Sequence, residues 1–298
     1  YKLFSLFILG SILLGLSQAN QQFYRYAAAD NVSISLKSKA ISLVLAGGLI
    51  AAILGPEVSR YSFDFFPDYI YLATYLFAAK IQIINFLILI FINIKKPIPS
   101  KKINRPLGDV LLQKNLIIAI LAAAVGYSLM SFIMTATPLQ IVNVCKLGDS
   151  ASATVIQWHV IAMFAPSFFT GTIINSLGNR KVMMIGLFLY AFSISFTIIG
   201  QTIEHFWIAL FLCGLGWNFL YVGGSDIIAK SALPEERAKV QGVTDFIIFV
   251  FVATGSFLAG ALHSTLGWEI MMFYTAIPIL ILFMSIIIIK PDGISVRY

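Results

Sequence analysis

Long apolar runs separated by short polar connections dominate the chain. Nine of these runs are long enough to cross a bilayer as helices, because a spanning helix needs about 20 mostly apolar residues. Their predicted bounds are 5–27, 40–56, 69–92, 116–142, 151–174, 182–200, 206–229, 242–263 and 271–289. The runs are apolar on every side, whereas the strands of a membrane barrel alternate polar and apolar residues over about 10 positions. The pattern therefore predicts an all-α polytopic membrane protein, a helical bundle with nine transmembrane helices.

Composition points to the same class. Hydrophobic residues make up 59% of the chain and charged residues 11%, against about 45–50% and about 25% in soluble domains. The lipid bilayer is therefore the expected partner. The net charge of +7 gives no reason to expect nucleic acid, because loop lysines account for it. Cys145 and Cys213 lie far apart and fit no disulfide or metal spacing, and we expect no cofactor and no metal.

Positive charge is distributed unevenly over the connections. The segment 93–115 holds six Lys or Arg residues and one acid. Counted over alternate connections, one side of the bundle collects fifteen Lys and Arg residues and the other side three. The fifteen are Lys37, Lys39, Lys95, Lys96, Lys101, Lys102, Arg105, Lys114, Arg180, Lys181, Lys230, Arg237, Lys239, Lys290 and Arg297. Because cytoplasmic loops are enriched in these residues, the C-terminus is predicted to be cytoplasmic.

Four short segments add a pattern to this topology. The connections 28–40 and 225–242 lie six spans apart, and in both an acid closes one helix and a basic pair opens the next. The segment 47–56 reads GGLIAAILGP, and 171–181 reads GTIINSLGNRK. These segments, with six spans after the basic loop, resemble the major facilitator superfamily (MFS), whose members join two six-helix halves by a basic cytoplasmic loop. The segment 47–56 is similar to the fifth-helix motif of its antiporters.

The resemblance implies a division of the chain. Residues 1–92 would form a partial N-terminal half with three helices, 93–115 the basic cytoplasmic loop, and 116–298 a C-terminal half with six helices. The nine spans would correspond to the family's fourth to twelfth helices, so we expect an N-terminal truncation and a chain that inserts but does not transport alone. Two positions depart from the family pattern: Asn175 stands where the signature loop has an acid, and Ser11 where the fourth helix has an arginine.

The same resemblance implies a function. It predicts a bacterial inner-membrane protein, monomeric, that moves a small-molecule substrate by alternating access between two faces. Proton-coupled antiport or efflux is the preferred coupling, because of the motif at 47–56. A membrane channel or a membrane protein without transport is the alternative. An enzyme is not expected, since the sequence has neither a G-x-x-x-x-G-K-[ST] phosphate loop nor an H-E-x-x-H zinc motif.

Polar residues inside the spans are the candidates for a substrate cavity. A polar side chain is costly against lipid, so each should face the bundle or a cavity. The cavity candidates are Gln18, Gln21, Gln22, Tyr24, Tyr127, Ser131, Gln157, His159, Trp217, Asn218 and Tyr221. Hydrogen bonding between helices, without substrate contact, is the alternative for each of them. A helix-packing motif is expected at Gly47, Gly48, Gly55 and Pro56.

Charged and polar residues at the predicted cytoplasmic side are candidates for a gate. They are Arg25, Asp30, Asn175, Arg180, Lys181, Asp226 and Arg237. The resemblance implies that Asp226 pairs with Arg180, Arg237 or both. Asp30 and Arg25 would form the weaker counterpart in the N-terminal half. A solvated rim of unpaired charges is the alternative.

Three further ionisable residues lie within spans. Asp245 and His159 are the proton-coupling candidates, because a histidine or a buried acid can exchange a proton. Their alternatives are a helix N-terminal acid and a histidine that bridges two helices. Lys80 is expected either to face the bundle as a functional cation or to snorkel toward the membrane interface.

Overall fold

The computed structural model of the protein describes residues 3–92, 106–233 and 235–289 and consists of long helices with short connections. Among these residues, eight helices are long and apolar enough to cross a membrane, and a bent pair makes a ninth. They are α1 (Phe4–Asp30), α2 (Ile34–Ser62), α3 (Leu72–Ile90), α4 (Lys114–Val144), α5 (Asp149–Phe164 with Ser167–Leu177), α6 (Asn179–Ile199), α7 (Ile203–Ser231), α8 (Arg237–Leu266) and α9 (Trp268–Ile288). Helices suit lipid because every backbone N–H and C=O finds a partner within the segment. The all-α bundle is therefore confirmed.

Most predicted spans differ from the observed helices by a few residues at each end. The largest difference is α2, which was predicted over 40–56 and runs from Ile34 to Ser62. Its first turns are polar, so hydropathy alone misses them, but Lys37 and Ser38 are buried against the C-terminal helices. Contacts with the rest of the bundle thus extend this helix beyond its apolar run.

Helix α7 forms the centre of the C-terminal six helices and packs against α4, α5 and α6. Small residues allow this close approach, as is common between membrane helices. A Cβ atom at Gly224 would lie 2.7 Å from the carbonyl oxygen of Ala119, and one at Gly214 would lie 2.6 Å from that of His159. The buried side chains of α7 include the large rings of Trp217 and Tyr221.

Helix α5 bends by 42° between its two parts. Pro166 lies at the bend, where its ring cannot continue the helical hydrogen bonds. Asn218 of α7 connects the two parts: its Nδ2 donates to the carbonyl oxygen of Met163 and to Ser167 Oγ, each at 2.6 Å. Its Oδ1 accepts from Thr170 Oγ1 at 2.6 Å. The bend is therefore held from both sides by one buried side chain.

The three N-terminal helices meet the six C-terminal ones mainly through α2 and the end of α1. Helix α2 packs along both parts of α5. Between Phe4 and Gln22, α1 buries no residue, and α3 buries only Ala73. Exposed apolar side chains cover both helices, which fits a lipid environment.

Part of the predicted charge pattern lies outside the described residues. This applies to most of the basic segment and to the C-terminal tail, with Lys95, Lys96, Lys101, Lys102, Arg105, Lys290 and Arg297. The described end of the loop, from Pro106 onward, forms the short helix Leu107–Leu111 before α4 begins at Lys114.

Candidate functional site

A cavity of about 1400 Å³ lies between the N-terminal helices and the C-terminal bundle. It is lined by α1, α2, α3, α4 and α5. Amide side chains make up most of the polar part of its wall, namely Gln18, Gln21, Gln22, Gln82, Asn85 and Gln157. Its aromatic rings are those of Tyr24, Phe63, Tyr71, Tyr127 and Phe164. Charged residues of the wall are Arg60 and Asp149. A wall of this kind suits a neutral solute that has a flat apolar part and several hydrogen-bonding groups.

Six of the predicted cavity residues lie in this wall, namely Gln18, Gln21, Gln22, Tyr24, Tyr127 and Gln157. The other five, Ser131, His159, Trp217, Asn218 and Tyr221, are buried outside it. Four of those five hydrogen-bond to neighbouring helices, and Tyr221 Oη does so by donating to Gln22 Oε1 at 2.9 Å. Ser131 Oγ lies 2.6 Å from Ser256 Oγ, His159 Nδ1 lies 2.7 Å from the Leu210 carbonyl oxygen, and Asn218 holds the bend of α5. Their geometry matches the alternative of helix-helix hydrogen bonding.

Trp217 and Tyr221 form a layer behind the cavity wall. Their rings stack with centroids 5.0 Å apart and planes at 18°. Tyr127 of the wall places its ring edge-on to both, at 5.3 Å from Trp217 and 5.1 Å from Tyr221. Phe164 of the wall lies edge-on to Trp217 at 5.6 Å. The wall rings of Tyr127 and Phe164 are therefore in direct contact with α7.

A buried ion pair joins the two sets of helices beyond this layer. Arg25 Nη2 of α1 lies 2.6 Å from Asp245 Oδ1 of α8, and the side chains are 1% and 7% exposed. Tyr26 Oη is 3.1 Å from Arg25 Nη2 and 3.2 Å from Asp245 Oδ1. The guanidinium lies over the rings of Tyr26 and Tyr221, 4.3 Å and 4.8 Å from their centroids. The expectation that Arg25 acts with Asp30 is thus wrong, because its side chain turns toward α8.

A second polar cluster lies at the end of the bundle that carries Lys37, Ser38, Asn179, Asp226 and Lys230, which we call the closed end. Asp226 is fully buried and accepts hydrogen bonds from three helices. Ser38 Oγ donates to its Oδ1 at 2.7 Å, and Asn179 Nδ2 donates to its Oδ2 at 2.9 Å. Lys230 Nζ forms an ion pair with Oδ2 at 2.7 Å. The cluster connects α2, α6 and α7.

The predicted partners of Asp226 were wrong. Arg180 is exposed and donates instead to the Ile287 carbonyl oxygen at 2.9 Å, while Arg237 pairs with Asp30 at 3.2 Å. Lys230, one turn after Asp226 on α7, occupies the place that the loop arginines were expected to fill, because residues four apart share a helix face. The alternative of unpaired charges is also excluded for Asp226 and Arg237.

The remaining gate candidates lie around this cluster. Asp30 is also 3.7 Å from Lys37 Nζ, which donates to the Ala229 carbonyl oxygen at 2.7 Å. Asn175 Nδ2 donates to the Ser35 carbonyl oxygen at 3.2 Å, so it links α5 to the start of α2. Lys181 is exposed at the start of α6.

Sequence reasoning missed Lys37, Ser38, Asn179 and Lys230 as site residues. Each stands within a few positions of a candidate that it did name, in the connections 28–40, 171–181 and 225–242. The available signal was the pairing of the connections 28–40 and 225–242 as repeats. It predicts that their polar residues meet at one end of the bundle, without saying which atoms bond.

Close contact between α2 and α5 depends on glycine at two places. A Cβ atom at Gly171 would lie 2.5 Å from the Ser38 carbonyl oxygen, and the Gly171 N–H donates to Ser42 Oγ at 2.9 Å. A Cβ atom at Gly48 would lie 2.7 Å from the Phe164 ring. Gly47 and Pro56 line the cavity, and Gly55 has no neighbour among the described residues within 4 Å of a Cβ atom placed there. The packing role is thus visible at Gly48 of the predicted motif.

Two further observations bear on the chemistry of the site. Lys80 is exposed, with its Nζ 5.6 Å from the centre of the Phe77 ring, and it is not part of the cavity wall. Lys80 thus does not face the cavity, and snorkelling toward the membrane interface stays a prediction. Within the described ranges, no three His, Cys, Asp or Glu side chains are grouped to hold a metal ion.

Comparison with known proteins gives one family match. Residues 116–295 match the sequence profile of the Major Facilitator Superfamily. The "Riboflavin transporter RfnT" of Brucella anthropi is 39% identical over 296 residues, which cover 97% of this chain and 74% of that protein. Two proteins of Bacillus subtilis, the "Uncharacterized MFS-type transporter" YdeG and YddS, are 28% and 26% identical over 87% and 86% of this chain. The chain spans 64% and 63% of those two proteins, less than two thirds of their length.

Proposed function

The chain belongs to the major facilitator superfamily, and from this membership we propose that the protein is a secondary transporter of a small solute that works by alternating access. The observation that carries the proposal is the cavity between the two sets of helices, whose wall residue Gln22 hydrogen-bonds to the buried Arg25. Alternating access requires a central site between two sets of helices that can move relative to one another. The proposed division is a partial N-terminal half at 1–92, the loop at 93–115 and the C-terminal half at 116–298.

We propose a flavin, riboflavin or a close analogue, as the substrate. The relative at 39% identity is named as a riboflavin transporter, and the cavity wall offers the groups that a flavin needs. Its flat ring system can stack on Tyr127 and Phe164, as aromatic pairs do. The imide edge of the ring and the ribityl hydroxyls both donate and accept hydrogen bonds, which matches amides such as Gln157. The cavity volume of about 1400 Å³ accommodates a molecule of this size.

Orientation and coupling are part of the same proposal. The closed end carries Lys37 and Lys230, and Arg237 pairs with Asp30 beside it, which on the positive-inside rule supports a cytoplasmic location for this end. We propose the inner membrane of a bacterium as the location and a monomer as the working unit. We propose proton-coupled antiport or efflux, with Asp245 as the carrier of the proton. Its Oδ2 is buried without a hydrogen-bond partner among the described residues, and protonation would weaken its hold on Arg25. His159 is the second candidate.

Uptake into proteoliposomes tests the proposal on the protein at its full gene-encoded length. We expect saturable riboflavin transport that responds to an imposed pH gradient, and the sign of the response gives the direction. Asp245→Asn should abolish the response to the gradient. Tyr127→Ala should weaken riboflavin binding, measured by quenching of flavin fluorescence, whereas Phe169→Leu on the exposed face of α5 should not. Flux that never saturates would identify a channel instead, and absence of any solute flux would contradict transport.

A further inference from the structure

Gln22 connects the cavity to the buried ion pair. Its side chain is part of the cavity wall, while its Oε1 accepts two hydrogen bonds from behind the wall. Arg25 Nη1 donates to it at 2.8 Å and Tyr221 Oη at 2.9 Å. Arg25 and Tyr221 are each 1% exposed, so neither can meet a solute directly. Gln22 therefore borders the cavity, while its amide oxygen supports both buried groups behind the wall.

The Arg25 guanidinium is held by hydrogen bonds to Gln22, Tyr26 and Asp245. Nη1 bonds to Gln22 through both the side-chain Oε1 and the backbone oxygen, each at 2.8 Å, and Nη2 bonds to Tyr26 and Asp245. The Nε atom has no partner among the described residues. Hydrogen bonds to a charged group are stronger than neutral ones, so the loss of Oε1 would weaken the position of the guanidinium opposite Asp245.

A solute in the cavity can compete for that oxygen. A carboxamide oxygen accepts about two hydrogen bonds, and both places on Gln22 Oε1 are taken by Arg25 and Tyr221. An N–H or O–H group of a bound solute would therefore have to displace one of them or turn the amide. Gln21 and Gln18 line the same cavity, but among the described residues neither has a hydrogen bond to the ion-pair region.

We propose that Gln22 is the positioning residue through which an occupant of the cavity releases the Arg25–Asp245 pair and opens the closed end. This rests on the proposed transport function and adds a residue and a direction to it. A solute that donates a hydrogen bond to Gln22 Oε1 displaces Arg25 or Tyr221 from it, and one that turns the amide removes both bonds. Arg25 bonds to Asp245 of α8, and Tyr221 lies on α7, so both α7 and α8 respond to one event.

The test measures the opening of the closed end by the distance between two spin labels. Cysteines replace Lys39 on α2 and Lys181 on α6, which are exposed, in a background with Cys145→Ser and Cys213→Ala. The full chain is placed in lipid nanodiscs. Gln22→Met removes the oxygen and keeps the length of the side chain, and Gln21→Met is the matched control. Tyr221→Phe removes only one of the two bonds and guards against misfolding of the first variant.

Without any solute, Gln22→Met should raise the ratio of the open population to the closed population by about tenfold or more, because it removes a hydrogen bond to a charged group. The two populations are measured from the long and the short label distance. Tyr221→Phe should raise it less, and Gln21→Met should leave the distance unchanged. In combination with Asp245→Asn, Gln22→Met should add little, because both act on the same pair. A distance unchanged by Gln22→Met, or one raised equally by Gln21→Met, overturns the inference.

Riboflavin is then added to the wild type and to Gln22→Met. A longer distance in the wild type and no further change in the variant supports both the inference and the proposed substrate. If Gln22→Met opens the closed end while riboflavin leaves the wild type closed, the control by Gln22 holds and the flavin proposal fails. If riboflavin opens both proteins equally, a different residue senses the solute and the inference is wrong.

Discussion

Arg25 of α1 and Asp245 of α8 form an ion pair with Nη2 and Oδ1 2.6 Å apart, although 220 positions separate them in the sequence. The pair joins an N-terminal helix to a C-terminal one in a place where both side chains are almost free of solvent. Removing one partner of a buried pair leaves an uncompensated charge. This relationship gives the most direct test of how the two sets of helices are held together.

Arg25→Gln and Asp245→Asn should each lower the free energy of unfolding by about 3–5 kcal/mol, because each leaves one buried charge alone. The double variant should recover part of the loss. Thermal unfolding in detergent, followed by tryptophan fluorescence, measures both. The control is Arg60→Gln, which breaks an exposed pair with Glu57 and should cost about 0–1 kcal/mol. Equal effects of Arg25→Gln and Arg60→Gln would contradict the buried pair.

Asp226→Asn should open the closed end, because the variant loses the charge that holds Lys230 and weakens the bonds from Ser38 and Asn179. The label pair at positions 39 and 181 should show a second, longer distance. Arg180→Gln should leave the distance unchanged, since Arg180 bonds to the Ile287 carbonyl oxygen and not to Asp226. An effect of Arg180→Gln as large as that of Asp226→Asn would mean that the loop arginine closes the bundle after all.

Gly171→Ala should push α2 and α5 apart. The new Cβ atom would lie 2.5 Å from the Ser38 carbonyl oxygen, which is backbone and cannot turn away. We expect a lower unfolding temperature and a longer distance between the labels at positions 39 and 181. Gly55→Ala is the matched control on α2, because nothing lies within 4 Å of its Cβ position. That variant should be neutral or more stable, since alanine favours a helix over glycine by about 1 kcal/mol.

Asn218→Leu should destabilise the bundle through the bend of α5. The substitution removes the partners of Met163, Ser167 and Thr170, and each buried polar group left alone costs about 1–3 kcal/mol. The unfolding temperature reports the loss. Asn20→Leu serves as the control, because Asn20 is exposed and bonds only to the Leu16 carbonyl oxygen. A similar unfolding temperature for both variants would show that Asn218 does not hold the bend.

The number and order of the helices followed from hydropathy, because a bilayer imposes a length and a composition on every span. The start of α2 did not, since Lys37 and Ser38 look like loop residues until their buried partners are known. The bend of α5 could be placed at Pro166 from the sequence, but not its angle of 42°. Pairing with Asn218 depends on how α7 is rotated, and hydropathy carries little of that information.

The candidate site shows the same limit. The amides of α1 were named from their type and position, and Gln21 and Gln22 do line the cavity. Charged partners were not predictable in the same way, because Asp226 had several cations within reach in the sequence. Its actual partner, Lys230, is the nearest along the helix. Gln157 lines the cavity, whereas His159 bonds to a neighbouring helix. Which of the two a polar residue does depends on its position around the helix axis, and that position changes by about 100° per residue.

The bend in α5 makes its second part a lever. Ser167–Leu177 has 11 residues and is about 16 Å long, so a rotation of about 10° at Pro166 would move its far end by about 3 Å. Asn218 hydrogen-bonds to the residues at the bend, and its neighbour Trp217 contacts the wall ring of Phe164. The far end carries Asn175, which bonds to α2. A small rotation at the bend, beside the cavity, would therefore move the far end of this segment far enough to make or break contacts at the closed end.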